Sequence, residues 1–291
     1  METKGIPAVV VGGDLRQVYA ANELQRRGYA VAAVGFGQNL PFEEGIQVTN
    51  SLEVLNRADL ALFPLGMSRG ENLNTPLYEG ELSLSTCLKA LSPTCAAFGG
   101  NLTMEERKQA ENLGLKLSDF FREEDLTVAN AVLTAEAALE IAMRELPVSL
   151  WQSRCLICGY GRIGRALASR LKGFGARVTA AARSPEQRSW AQAEGVRAVD
   201  FGCLPSILGY QQVIFNTVPN RILGLEEIRQ TAPDVLLIEL SSKPYGIDLK
   251  ASQTLGRKGI LASGLPGKHS PKSAGILIAK TVDQLYRREE R

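Results

Sequence analysis

Residues 155–184, CLICGYGRIGRALASRLKGFGARVTAAARS, constrain this chain more than any other stretch. Gly159, Gly161 and Gly164 form G-x-G-x-x-G directly after an apolar run and directly before an amphipathic one. In a strand–loop–helix unit the first glycine permits a tight turn and the second lets the backbone approach a pyrophosphate. The third lets the helix sit close to the strand. The free N–H groups and the positive end of the helix then hold phosphate oxygens. The expected contacts to a dinucleotide are Gly159, Tyr160, Gly161, Arg162, Ile163 and Gly164. The alternative is a glycine-rich turn without a ligand.

The end of the next strand selects the cofactor. An acid there would accept from the ribose 2′-hydroxyl of NAD. This sequence has Ala182-Arg183-Ser184 instead, with Arg183 19 residues after Gly164. A guanidinium and a hydroxyl suit a 2′-phosphate, so NADP is expected over NAD. The alternative for Arg183 is a solvated cation. Thr217, Val218 and Pro219 follow a later strand, and Ser241 and Lys243 follow the next. Both segments should reach the carboxyl edge of the sheet, where such folds bind ligands. Thr217, Val218, Pro219, Ser241 and the later Pro266 are further expected cofactor contacts.

Around this loop, short β-type runs alternate with longer amphipathic stretches through the whole chain, the pattern of a parallel sheet covered by helices. The fold class expected is α/β, with two doubly wound, Rossmann-like parallel-sheet domains, the C-terminal one binding the dinucleotide. Residues 1–126 form the first domain and 127–147 a long connecting helix, with Pro147 as its stop. Residues 148–270 form the NADP domain. A final helix, 271–291, starts at Pro271 and is free to pack back on the first domain.

Composition excludes several classes. A chain of 291 residues with 45% hydrophobic and 22% charged residues can bury two ordinary cores. A net charge of +2 offers no footprint for nucleic acid or a membrane surface. Apolar runs look strand-sized, with no membrane span and no secretion signal, so a cytoplasmic protein is expected. One histidine, His269, rules out multi-histidine zinc sites, and no metal is expected. Cys155 and Cys158 form C-x-x-C inside a strand, where residues three apart face opposite sides, so they read as buried structural thiols.

Other polar groups keep two readings. Asp14 and Arg16, in VGGDLR, are a carboxylate-binding pair or a helix cap beside a surface arginine. His269 is an acid–base group or loop surface. Lys272, in the first turn of the last helix, opposes the helix dipole unless an anion meets it.

The glycine loop GYGRIGRALA resembles that of the D-2-hydroxyacid dehydrogenases. VVVGGDLRQ, NAVLTAEAAL, NTVPNRIL, ELSSKPYGIDLKA and GLPGKHSPKSAGILIA sharpen the likeness, and together they resemble the A-subunit family of dipicolinate synthase along nearly the full chain. The resemblance implies an NADP-dependent dehydrogenase that oxidises a dihydro- or hydroxytetrahydro-pyridine-2,6-dicarboxylate to dipicolinate during sporulation. As partner it implies the flavoprotein-like B subunit of the synthase; it also implies an oligomer and the mother-cell cytoplasm. Two substrate carboxylates call for cations and donors, with Asp14, Arg16, Asn130, Thr134, Lys243 and Lys272 as substrate residues. Lys243 and Glu136 are the catalytic candidates. The Glu–His pair of the hydroxyacid dehydrogenases has no clear counterpart in the sequence. The alternatives are an NADP-dependent 2-hydroxyacid or 2-ketoacid oxidoreductase using His269, and a non-catalytic NADP(H)-binding regulatory subunit.

Overall fold

The computed structural model describes residues 5–289, so the last two residues of the expected final helix lie outside the described residues. Two compact units result, Met1–Ala129 with Ser270–Arg291, and Asn130–His269.

In the first unit, β1 (Ile6–Val11), α1 (Leu15–Arg26), β2 (Tyr29–Val34), β3 (Gln47–Thr49) and β4 (Leu60–Leu65) are followed by a small antiparallel hairpin of β5 (Ser68–Arg69) and β6 (Asn72–Leu73). Next come α2 (Leu84–Lys89), β7 (Ala96–Gly100), α3 (Met104–Asn112), β8 (Leu117–Asp119) and the start of the long α4 (Glu124–Glu145), whose residues from Asn130 on belong to the second unit. The sheet order is β3-β2-β1-β4-β7-β8, every pairing parallel. The run Val9–Val11 is fully buried, because a parallel strand is covered on both faces.

The second unit repeats the plan. It contains β9 (Arg154–Cys158), α5 (Arg162–Gly173), β10 (Arg177–Ala181), α6 (Pro185–Ala193), β11 (Arg197–Val199), β12 (Val213–Asn216), α7 (Leu225–Arg229), β13 (Leu236–Glu239), α8 (Leu249–Thr254), β14 (Lys258–Leu261) and α9 (Leu265–His269). Its order, β11-β10-β9-β12-β13-β14, is also all parallel. Such an order reverses direction at β9, which opens a crevice at the carboxyl edge beside the glycine loop.

The chain then returns to the first unit as α10 (Pro271–Glu289), packed on α1. A Cβ on Gly275 would lie 2.4 Å from the Arg16 carbonyl oxygen, so the two helix backbones approach as only glycine allows. Asp283 fixes the other end, accepting from Tyr29 Oη at 2.7 Å and Arg27 Nη1 at 3.1 Å.

One expectation is corrected here. Among the described residues α4 is long and apolar enough to cross a membrane by length and composition, with mean hydropathy 1.4. Half of that window is buried, with Leu126 in a core of the first unit and Ala135, Ala137, Ala138, Leu139, Ile141 and Ala142 in a core of the second. The runs read as strand-sized missed it because Asn130, Thr134, Glu136 and Glu140 break its apolar residues into short runs.

Candidate functional site

Two of the three glycines of the loop meet a steric demand. Gly159 has φ +94°, and a Cβ there would lie 2.4 Å from Thr217 Oγ1 and 2.8 Å from Val218 Cγ2. A Cβ on Gly164 would lie 2.3 Å from the Gly159 carbonyl oxygen, so α5 can sit against the loop only without a side chain. Gly161 differs. It is the N-cap of α5, provides no side-chain cap, and has open space where a Cβ would point. The first N–H groups of this 12-residue helix have no carbonyl of their own helix to meet, and they face a space that an anion can enter. These residues fit a dinucleotide pyrophosphate.

At the adenosine side of the loop, β10 ends at Ala181, and the exposed Arg183 follows the buried Ala182. Ser184 caps α6, its Oγ accepting from the Gln187 N–H at 3.4 Å. Arg188, not anticipated from sequence, clamps this corner. Its Nη1 donates to the carbonyls of Ala182 at 2.8 Å and Arg183 at 2.7 Å, and to Asp200 Oδ2 at 2.8 Å. Only the three-dimensional turn brings its guanidinium under the strand end.

Toward the other side, Thr217 Oγ1 donates to the Cys158 carbonyl at 2.9 Å, which locks the β12 turn onto the glycine loop. Val218 presses on the same glycine, while Pro219 is exposed. Pro266 is buried at the start of α9. Two expected cofactor contacts have their hydroxyls engaged within the protein. The Tyr160 hydroxyl is spent on Glu194 Oε2 at 2.7 Å, so only its backbone remains for a ligand. The buried Ser241 hydroxyl donates to Glu239 Oε1 at 2.7 Å.

Glu239 takes a structural role that the sequence reading did not assign to it. It has no exposed surface and ends β13 beside Cys158. Its Oε1 accepts from Asn216 Nδ2 at 2.8 Å and from the Ser241 N–H at 2.8 Å; its Oε2 accepts from the N–H groups of Gly246 at 2.8 Å and Ile247 at 2.7 Å. One carboxylate thus fixes both ends of the 241–247 loop, including Tyr245 at φ +65°, a conformation that needs holding in a bulky residue. Lys243 projects from this loop as an exposed cation. An acid at the end of an apolar strand was the available signal.

Several other candidates settle elsewhere. Glu136 is exposed and pairs with Arg170 of α5 at 3.1 Å. Thr134 is buried, its hydroxyl donating to the Asn130 carbonyl one turn back at 2.8 Å. Asp14 caps α1, accepting from the Arg16 N–H at 3.0 Å, and also receives Arg16 Nε at 2.9 Å and Nη2 at 2.8 Å. Burial pushes its carboxyl up, but Arg16 outweighs this and holds it below the ordinary value. Asp14 is therefore the cap of α1 and also orients Arg16. Lys272 lines a cavity of about 150 Å³ with Tyr19, Arg26 and Glu43.

His269 Nδ1 lies 3.6 Å from Glu140 Oε2, so a His–carboxylate pair exists that the sequence did not reveal. Cys155 and Cys158 fall in the cores on opposite faces of the sheet, and burial pushes both thiols up to about 12, with Glu239 adding to the effect at Cys158.

Comparison with known proteins agrees with this geometry. Residues 7–121 match the N-terminal domain of the dipicolinate synthase A subunit, and residues 140–242 match the D-isomer specific 2-hydroxyacid dehydrogenase NAD binding domain. The chain is 26% identical over 284 residues to the A subunit of Bacillus subtilis dipicolinate synthase, covering 97% of this chain and 96% of that one. The crystal structure of that Bacillus subtilis protein superposes with a TM-score of 0.87 at 26% identity, covering 98% and 97% of the two chains. The counterpart from Bacillus halodurans gives 0.89 at 23% identity, covering 97% and 98%, a likeness of fold. From end to end the chain is similar to the dipicolinate synthase A subunit, and it is an oxidoreductase carrying a dehydrogenase-type dinucleotide domain.

Proposed function

We propose that the chain is the dehydrogenase subunit of a two-component dipicolinate synthase. In this reading it oxidises a dihydro- or hydroxytetrahydro-pyridine-2,6-dicarboxylate to dipicolinate with NADP. It works with a flavoprotein-like B subunit in the mother-cell cytoplasm of a spore former, and as an oligomer. The observation that carries the reading is the open, uncapped start of α5 behind sterically obligatory glycines, in a chain similar throughout to the dipicolinate synthase A subunit.

The bound dinucleotide supplies a hydride acceptor. The N–H groups at the start of α5 hold its pyrophosphate, and Arg183 and Ser184 bind the 2′-phosphate. The Lys243 ammonium holds a substrate carboxylate on a loop that Glu239 keeps in register. In the first unit Arg16, whose Nε and Nη2 are already oriented by Asp14, and Lys272 are candidate carboxylate ligands, and in the second unit Asn130 and Thr134 are. A charged ammonium cannot take a proton, so the ring proton leaves to water, and aromatisation of the ring lessens the need for a strong base.

The expected result for Lys243→Ala is a raised KM for the substrate with NADPH affinity unchanged. An unchanged KM would remove Lys243 from the site. A second reading, an NADP-dependent 2-hydroxyacid or 2-ketoacid oxidoreductase, draws on the His269–Glu140 pair. His269→Ala separates the two: loss of turnover favours the second, and retained dipicolinate formation favours the first.

A further inference from the structure

Strand register gathers a second group of cations at the end of the sheet opposite the glycine loop. Arg154 and Arg177 begin β9 and β10 and are direct neighbours in the parallel pairing. Thr179, two residues on and so on the same face as Arg177, pairs in turn with Arg197 at the start of β11. All three guanidinium groups therefore leave one face of the sheet from adjacent strands about 4.8 Å apart. They line a cavity of about 590 Å³ together with Thr179, Tyr210 and Gln211. That volume suits a small molecule.

No Asp or Glu lines this cavity, and none of the three arginines has a carboxylate within ion-pair distance among the described residues. The Arg154 guanidinium instead lies over the Tyr210 ring, 5.5 Å from its centre. Several arginines elsewhere in this unit are paired, as Arg165 is with Glu194, Arg170 with Glu136 and Arg188 with Asp200. Neighbouring like charges on adjacent strands repel one another, a cost that an anion in the cavity removes. Gln211 is buried in the cavity wall, its Nε2 donating to the Ile207 carbonyl at 2.9 Å while its Oε1 has no donor.

We propose that this cavity, formed by Arg154, Arg177 and Arg197 at the amino edge of the second sheet, binds a polyphosphate-bearing small molecule of the nucleotide class. Guanidinium forks match phosphate oxygens bidentately, and the exposed Tyr210 ring offers a stacking face beside them. The five-residue length of β9 separates this cavity from the dinucleotide loop by roughly 13–17 Å, so both can be filled at once. The inference does not depend on which substrate the enzyme oxidises.

The test is calorimetric titration of ADP, and separately of inorganic pyrophosphate, into the full chain already saturated with NADPH. Saturation keeps the probes off the glycine loop. Both probes are expected to bind, with ADP tighter, and the double variant Arg177→Ala/Arg197→Ala is expected to weaken each about tenfold or more. Its thermal melt and NADPH affinity should stay at the parent level, because both side chains are exposed. Absence of binding by both probes would overturn the proposal. So would binding to the double variant as tight as to the parent, since the probes would then sit elsewhere.

Discussion

At the scale of single residues, Arg183 and Glu239 divide the labour at the carboxyl edge of the second sheet. Arg183 is exposed where a ribose-binding acid would stand in an NAD site. Arg183→Ala is expected to weaken NADPH about tenfold or more while leaving NADH nearly unchanged, as read by fluorescence titration of both. Equal losses for the two would mean the side chain does not meet the 2′-phosphate. Glu239 works from inside. Glu239→Gln replaces an acceptor with an amide donor facing the N–H groups of Gly246 or Ile247, or of Ser241, and should cost about 1–3 kcal/mol in a denaturant melt. The two residues were not equally legible in the sequence. Gly159, Gly161, Gly164 and Arg183 could be read because their type and spacing alone state a steric or charge requirement. Glu239 could not, since its donors come from residues 216, 241, 246 and 247 and meet only once β12 and β13 lie side by side.

Among elements, the pairing of α10 with α1 shows how the last residues of the chain complete a sheet begun at its start. Gly275→Val should destabilise the protein by about 1–3 kcal/mol, because the added atoms collide with the α1 backbone rather than with a yielding side chain. Acid should loosen the same contact. Burial raises the Asp283 carboxyl, but hydrogen bonds from Tyr29, Arg287 and Arg27 outweigh it and hold the group below the ordinary aspartate value. Its stabilisation is therefore full above that ordinary value and is lost as pH falls through the folded one. Asp283→Asn should lower Tm at neutral pH and flatten its fall between about pH 5 and pH 2; a slope equal to the parent's would exclude Asp283 as the source. Most strands and the long helix were legible from apolar runs and their caps. The three-residue edge strands β3 and β11 were not, because half-exposed segments that short carry no periodic signal. For Glu136 the place on α4 was readable, but its pairing with Arg170 of α5 is set by packing.

For the whole molecule, two sheets of the same strand order serve different ends. The second carries the dinucleotide loop, and the first carries the Asp14–Arg16 turn and receives the C-terminal helix. Similarity to the dipicolinate synthase A subunit extends over 97% of the chain, so the likeness includes both units rather than the dinucleotide domain alone. The most direct test of the account is a coupled assay. Freshly generated dihydrodipicolinate synthase product is mixed with NADP and the purified chain, with and without the flavoprotein-like partner, and dipicolinate is followed by its ultraviolet absorbance. The account predicts dipicolinate appearing faster than in the enzyme-free control and mole for mole with NADPH. No acceleration in either mixture, with NADPH binding intact, would contradict it.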